Sequence, residues 1–260
     1  MLSRLSLLSL SAAAILLAGC AAVPNTPGSS PQSFTLKDGS RLRYMEYVPP
    51  KLKLSRHVPI LIFLHGSGEA GHDVTQVMNN GPWQYARAHA DFPFIILAPQ
   101  LDKDGEWDPD KLNEWLDHIE QVLPVDRRRI YLTGLSRGGQ GTWDFAMRYP
   151  HYFAAIAPLS GYSDLRQPCR LKGIPVWAFH GALDDVVPIK YDEQTTGDAK
   201  SCGVTVQLTV YPNSGHDTWT QTYADPDLYT WLMSNKRPLL RLAPPLKEPL
   251  RPLVAPGDVH

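Results

Sequence analysis

The sequence predicts one α/β domain built on a mostly parallel sheet with helices on both faces, and three observations carry that expectation. Short apolar runs of strand type alternate with helical segments along most of the chain. One run, Val58-Pro59-Ile60-Leu61-Ile62-Phe63-Leu64, is continuously apolar, as a strand covered on both faces must be. The chain has 260 residues, 43% hydrophobic and 20% charged, enough for a single sizeable core.

Taken in order, the chain begins with Arg4 and an apolar stretch from Leu5 to Leu17, too short to span a membrane and suited to the core of a signal peptide. It ends in Leu17-Ala18-Gly19-Cys20, which resembles the lipobox of bacterial lipoproteins. By that resemblance residues 1–19 are a signal peptide and Cys20 is the lipidated first residue of an exported, membrane-anchored protein. Ala21 after the cysteine implies the outer membrane, facing the periplasm. Residues 20–32 read as a flexible tether, 33–236 as the folded domain, and 237–260, with six prolines, as an extended tail.

Within the domain, Ser33 to Leu36 and Leu42 to Val48 flank Asp38-Gly39, a hairpin signal. Val58 to Leu64, Phe94 to Ala98, Ile130 to Thr133, Phe153 to Leu159, Ile174 to Phe179 and Val204 to Tyr211 follow as strands. Between and after them, helices are expected up to about Ala90, from Pro109 to Leu123, behind Ser136 through Met147, from Ile189 to Ser201 and from Asp225 to Ser234. The formal net charge is −1, from 25 basic and 26 acidic residues, which points to no nucleic-acid partner. Arg127-Arg128-Arg129, the one basic run, reads as a solvated turn. Cys169 precedes a strand, and Cys202 ends the helix that follows it, so both fall at one end of the sheet. In an exported protein such a pair reads as a disulfide worth about 3–4 kcal/mol.

The chemistry centres on Gly134-Leu135-Ser136-Arg137-Gly138, placed between a strand and a helix. A serine on so sharp a turn sits in strained backbone with its hydroxyl clear of the sheet, and the residues two before and two after it must be small because they nearly touch. Such a nucleophile needs a base, an orienter and oxyanion donors. Ligands bind at the carboxyl ends of strands in such sheets, which selects His216, in the loop after the last strand, from the nine histidines. Asp184 is the carboxylate candidate and Asp185 its runner-up. His65 and His180 each end a strand as His-Gly and are expected in loop hydrogen bonds. The amides of Arg137, at a helix N-terminus, and of Ser67, in the His65-Gly66-Ser67-Gly68 loop, are the oxyanion candidates.

Five segments now carry a family resemblance. Leu64 to Glu69, Ala98-Pro99-Gln100, Val125-Asp126 with Arg129 to Ser136, Trp177 to Pro188 and Gly215 to Trp219 together resemble the α/β-hydrolases of the phospholipase/carboxylesterase and dienelactone-hydrolase group. Feruloyl and polyhydroxybutyrate-type esterases and prolyl-oligopeptidase catalytic domains are relatives of that group. The order Ser136, Asp184, His216 is that of α/β-hydrolases. The resemblance implies an α/β-hydrolase fold of about eight strands and a serine esterase acting through an acyl-enzyme. Arg137 departs from the Met common after the nucleophile, and is expected either beside the substrate or paired with an acid. Ala70 stands where an Arg usually follows Glu69.

Between Leu159 and Ile174 the chain is too short for a cap domain, so the cleft is expected open to one end of a bulky ester, whether a small molecule or a polymer end. Trp107, Tyr162 and Trp219 are candidates to hold an acyl or aryl group, and Trp143 is expected in the core. No zinc spacing, phosphate loop or dinucleotide fingerprint appears, so no metal or other cofactor is expected. The competing readings are a peptidase or thioesterase and, more remotely, a non-catalytic surface lipoprotein that binds a ligand.

Overall fold

The computed structural model describes residues 27–53, 57–163 and 167–238. Among them, eight strands form one sheet: β1 (Gly28–Thr35), β2 (Arg41–Val48), β3 (Val58–Leu64), β4 (Ile95–Gln100), β5 (Val125–Leu135), β6 (Ala155–Leu159), β7 (Val176–Gly181) and β8 (Val206–Tyr211). Their order is β1-β2-β4-β3-β5-β6-β7-β8. β1 pairs antiparallel with β2, β2 antiparallel with β4, and every later pair is parallel.

Helices α1 (Trp83–Ala88), α2 (Pro109–Val122), α3 (Arg137–Arg148), α4 (Ile189–Ser201), α5 (Trp219–Ala224) and α6 (Pro226–Ser234) cover the sheet. α2 and α6 both start at Asp-Pro. The Asp108 carboxylate accepts from the amides of Asp110 and Lys111, and Asp225 accepts from Asp227, while proline fills a position that needs no donor. β3 is buried along its whole length, and its alternation divides the core. Ile60, Ile62 and Leu64 join Trp115, Trp143 and Phe145 on the α2–α3 face, whereas Leu61 and Phe63 join Trp83, Tyr223 and Tyr229 on the α1–α5–α6 face. Trp143 is fully buried.

The structure moves three boundaries. β1 begins at Gly28, so residues 28–32, expected in the tether, pair in register with β2 from Gly28↔Val48 onward. Its residues alternate between half-buried and exposed, which gives an edge strand little apolar signal, and Pro31 is admitted at an edge where no second partner needs its amide. Arg127 to Arg129 lie inside β5, where its register against β3 jumps between Val58 and Ile60. The Asp126 carboxylate closes that bulge by accepting from the Arg128 amide at 3.0 Å and from Arg129 Nε at 2.6 Å. Arg237, expected in the tail, exchanges hydrogen bonds with Arg128: its amide donates to the Arg128 carbonyl at 3.0 Å and its carbonyl accepts from Arg128 Nε at 3.1 Å. Cys20 and residues 239–260 lie outside the described residues. Cys169, in the short 3-10 turn Pro168–Leu171, is joined to Cys202 by a disulfide with Cα atoms 5.1 Å apart.

Candidate active site

The carboxyl ends of β3, β5, β6, β7 and β8 meet at one edge, and the loops leaving them build the site. At its centre Ser136 has φ 53° and ψ −119°, a left-handed conformation that a side-chain-bearing residue adopts only when its surroundings force it. The forcing is steric. A Cβ on Gly134 would lie 2.3 Å from the Gly138 carbonyl oxygen, and one on Gly138 would lie 1.9 Å from that of Leu64. The turn is backbone packed on backbone, and the Ser136 amide is tied to the Leu159 carbonyl at 2.9 Å. Ser136 occupies the cap position of α3, yet its hydroxyl makes no capping bond.

That hydroxyl instead lies 2.9 Å from His216 Nε2. His216 Nδ1 lies 2.8 Å from Asp184 Oδ2, which places the ring hydrogen on Nδ1 and leaves Nε2 to accept from the serine. The other oxygen of Asp184 accepts from the amides of Val186 and Val187 at 3.0 and 2.8 Å, so the carboxylate is fixed from both sides. Asp184 is buried, while Asp185 is exposed on the same loop. The loops carrying acid and base touch through glycine: a Cβ on Gly181 would fall 2.0 Å from the Gly215 carbonyl oxygen. The His216 carbonyl accepts from Ser160 Oγ at 2.9 Å, and Ser160 is itself 2.7 Å from Thr218 Oγ1.

The loop after β3 is pinned by polar contacts. His65 is fully buried; its Nδ1–H donates to the Gly66 carbonyl at 2.6 Å and its Nε2 accepts from the Leu101 amide at 3.0 Å. Burial drives its pKa down to about 4, against the Gly66 hydrogen bond and with help from Arg137, so the ring is neutral. Gln100 Nε2 donates to the carbonyls of Glu69 and Asp73 at 2.9 and 2.6 Å, and Asn80 donates to the Glu69 carboxylate. Ser67 and Arg137 each open a helical segment, Ser67–Glu69 and α3, where the first N–H groups have no intrahelical acceptor.

The structure gives partners to three of the side chains singled out in the sequence. Arg137 makes no ion pair among the described residues; its guanidinium donates to the Gly105 carbonyl at 2.9 Å and so ties α3 to the loop before α2. Trp107, expected to contact substrate, is only 9% exposed; it fills the space left by Gly141, donates to the His65 carbonyl at 3.2 Å and packs edge-on against the His65 ring. Tyr162 stacks on Tyr191 with ring centroids 5.0 Å apart. Trp219 does stand at the site, its ring perpendicular to that of His216 with centroids 5.2 Å apart. It also walls a groove of about 340 Å³ with Met78, Gln84, Tyr85 and Tyr223.

Two groups escaped the sequence reading. Ser160, with φ 46°, and Thr218 hold His216 through its main chain; the signal was a Ser-Gly leaving a strand beside the nucleophile helix, where a Cβ on Gly161 would lie 2.6 Å from the Gln140 amide. Asp192, on the first turn of α4, is buried against His180 with Nδ1 3.0 Å from Oδ2. Burial opposes charge on His180, but the hydrogen bond and charge of Asp192, then the Val187 carbonyl and Asp184, outweigh it and lift the ring above its ordinary pKa. Among the described residues no group of three His, Cys, Asp or Glu side chains is disposed to hold a metal ion.

The sheet order and the serine turn define an α/β-hydrolase. Residues 109–230 match the model of the Phospholipase/Carboxylesterase family. It is 26% identical over 196 residues to a bifunctional acetylxylan esterase/xylanase of Neocallimastix patriciarum, covering 71% of this chain and 27% of that protein. It is 26% identical over 212 residues to acyl-protein thioesterase 1 of Neurospora crassa, covering 65% and 84% respectively. A solved thermostable esterase superposes with a TM-score of 0.73 at 29% identity, covering 80% of this chain and 63% of the esterase. The chain thus spans about a quarter of the first relative and under two thirds of that esterase.

Proposed function

We propose that the protein is a carboxylic-ester hydrolase that works through an acyl-enzyme on Ser136. The observation that carries this reading is the unbroken hydrogen-bond path from Asp184 through His216 to Ser136, with links of 2.8 and 2.9 Å, ending on a serine held in strained backbone. His216 takes the hydroxyl proton as Ser136 attacks the ester carbonyl, and Asp184 holds the imidazolium that forms. The negative oxygen of the tetrahedral intermediate is received by the amides of Arg137, at the positive end of α3, and Ser67. His216 then gives its proton to the departing alcohol, and water repeats the sequence to release the acid.

The cleft suits an ester with one bulky end. Trp219 and the groove behind it offer an aromatic wall at the base, with Gln84 and Thr220 as polar contacts. A thioester is the second reading, supported by the similarity to acyl-protein thioesterase 1. Comparison of kcat/KM on matched ester, thioester and amide substrates separates these readings from a peptidase. An exported protein lipidated at Cys20 is the reading of its location, supported by the Cys169–Cys202 bond, which suits an oxidising compartment.

The test is Ser136→Ala. Hydrolysis of short p-nitrophenyl esters is expected to fall by at least about 10⁴-fold, with loss of covalent labelling by a fluorophosphonate. Activity retained by the variant sinks the proposal, as does a wild-type protein that binds a ligand tightly yet never labels.

A further inference from the structure

Behind Asp184 lies a second acid–imidazole pair that the chemistry above leaves unused. His180 ends β7 and Asp192 opens α4, and their side chains are 0% and 1% exposed. His180 Nε2 is 2.8 Å from the Val187 carbonyl oxygen; a carbonyl only accepts, so Nε2 carries a hydrogen. Nδ1 faces Asp192 Oδ2 at 3.0 Å. A bare ring lone pair and a bare carboxylate oxygen would repel at that distance, so one proton lies between them. On its other side Nε2 is 3.2 Å from Asp184 Oδ2, the same oxygen that accepts from His216.

Where the shared proton resides decides what Asp184 experiences. On the ring, it makes an imidazolium flanked by two carboxylates at 3.0 and 3.2 Å. On Asp192, it leaves a neutral ring and an uncompensated Asp184. Two tendencies compete. Burial, with the charge of Glu193, lifts the Asp192 carboxyl to about 6, and its Oδ1 meets no partner among the described residues, which draws the proton toward the acid. Against this, the carboxylates facing His180, Asp184 from the loop after β7 and Asp192 from α4, raise the ring and draw the proton to it, with His216 reached only through Asp184. Each ring nitrogen has an oxygen acceptor.

We propose that His180 is a positioning residue for hydrolysis: an imidazolium held by Asp192, it sets a positive charge 3.2 Å from Asp184 Oδ2 and keeps that oxygen aimed at His216. The inference rests on reading Ser136, His216 and Asp184 as a triad. No proton travels along this second pair. Its effect is a fixed positive charge and a fixed orientation, which a pair that merely pinned α4 to β7 would not supply.

Asp192→Asn is the deciding variant, because the amide keeps the volume and donates to Nδ1, leaving a neutral ring still bonded to Val187. Nitrogen NMR of the intact wild-type protein at pH 7 is expected to show both His180 ring nitrogens protonated, and Asp192→Asn to show one. Removing the cation leaves the field at His216 more negative. The acid limb of the kcat/KM profile is therefore expected to move up by about half a pH unit. In the same variant kcat should fall by about tenfold, with KM changed by less than about twofold. A folded Asp192→Asn protein with the wild-type acid limb and kcat overturns the proposal, and so does a neutral His180 in the wild type; the second measurement decides alone if the variant does not fold. Ser136→Ala is assayed alongside. Ester activity surviving in it defeats the triad reading and this inference with it, whereas its loss beside an unmoved Asp192→Asn profile defeats the positioning role alone.

Discussion

β3 leads into and β7 ends in the same dipeptide, His65-Gly66 and His180-Gly181, at the same edge of one sheet, and the two rings are shifted in opposite directions, His65 down and His180 up. His65 meets a carbonyl and an amide, with no carboxylate closer than Glu69 at 3.9 Å, so burial keeps it neutral. His180 meets two carboxylates, which raise its affinity for a proton against the same burial. One ring braces the loop that offers the Ser67 amide, and the other braces Asp184. The dipeptide sets where each imidazole stands, and the partners arriving from other elements set what it is.

The comparison breaks most sharply at Gly181. Gly181→Ala forces main chain from main chain, since its Cβ would sit 2.0 Å from the Gly215 carbonyl oxygen. A loss of about 4 kcal/mol in urea unfolding is expected, together with loss of ester turnover as the loops of Asp184 and His216 part. The next effect is acid sensitivity on the His65 side. Its folded pKa of about 4 lies below the unfolded value, so the unfolded chain binds more protons between pH 6.5 and 4. That contribution is whole above about pH 6.5 and is lost as pH falls, about 3 kcal/mol across the window. In His65→Gln the fall in unfolding free energy over that range should shrink by a comparable amount; an unchanged slope would show the ring is not held neutral. The smallest effect is Gly66→Ala. Its Cβ would crowd Leu135 Cδ1, at 2.7 Å, a methyl that can turn aside, and would meet the Leu135 carbonyl oxygen and Glu69 Oε2 only at 3.5 and 3.6 Å. About 1 kcal/mol is expected, and a loss as large as that of Gly181→Ala would erase the contrast.

Much of this was legible in the chain. The apolar run of β3 and the Asp-Pro starts of α2 and α6 announce their elements because local burial and capping decide them. Ser136, Asp184 and His216 announce themselves because each sits among glycines that the close approach of backbones requires. What was hidden depends on long-range packing. Trp107 reads as a rim aromatic until Gly141 makes room for it in the core. Asp192 reads as one more polar residue on a helix of charged residues, and only the seating of α4 over β7 buries it. β1 was masked by its own exposure, for an edge strand is held by main-chain pairing and shows little side-chain pattern.

The bond between Cys169 and Cys202 encloses residues 170–201 in a covalent ring. Inside that ring lie all of β7, His180, Asp184 and Asp192, whereas Ser136 and His216 lie outside it. The proposed acid thus sits in a closed loop of chain, while the proposed nucleophile and base lie on the open chain to either side of it. Opening the ring with a reductant is expected to relax Asp184 and its backing first, leaving a serine that still reacts with a label but turns over slowly.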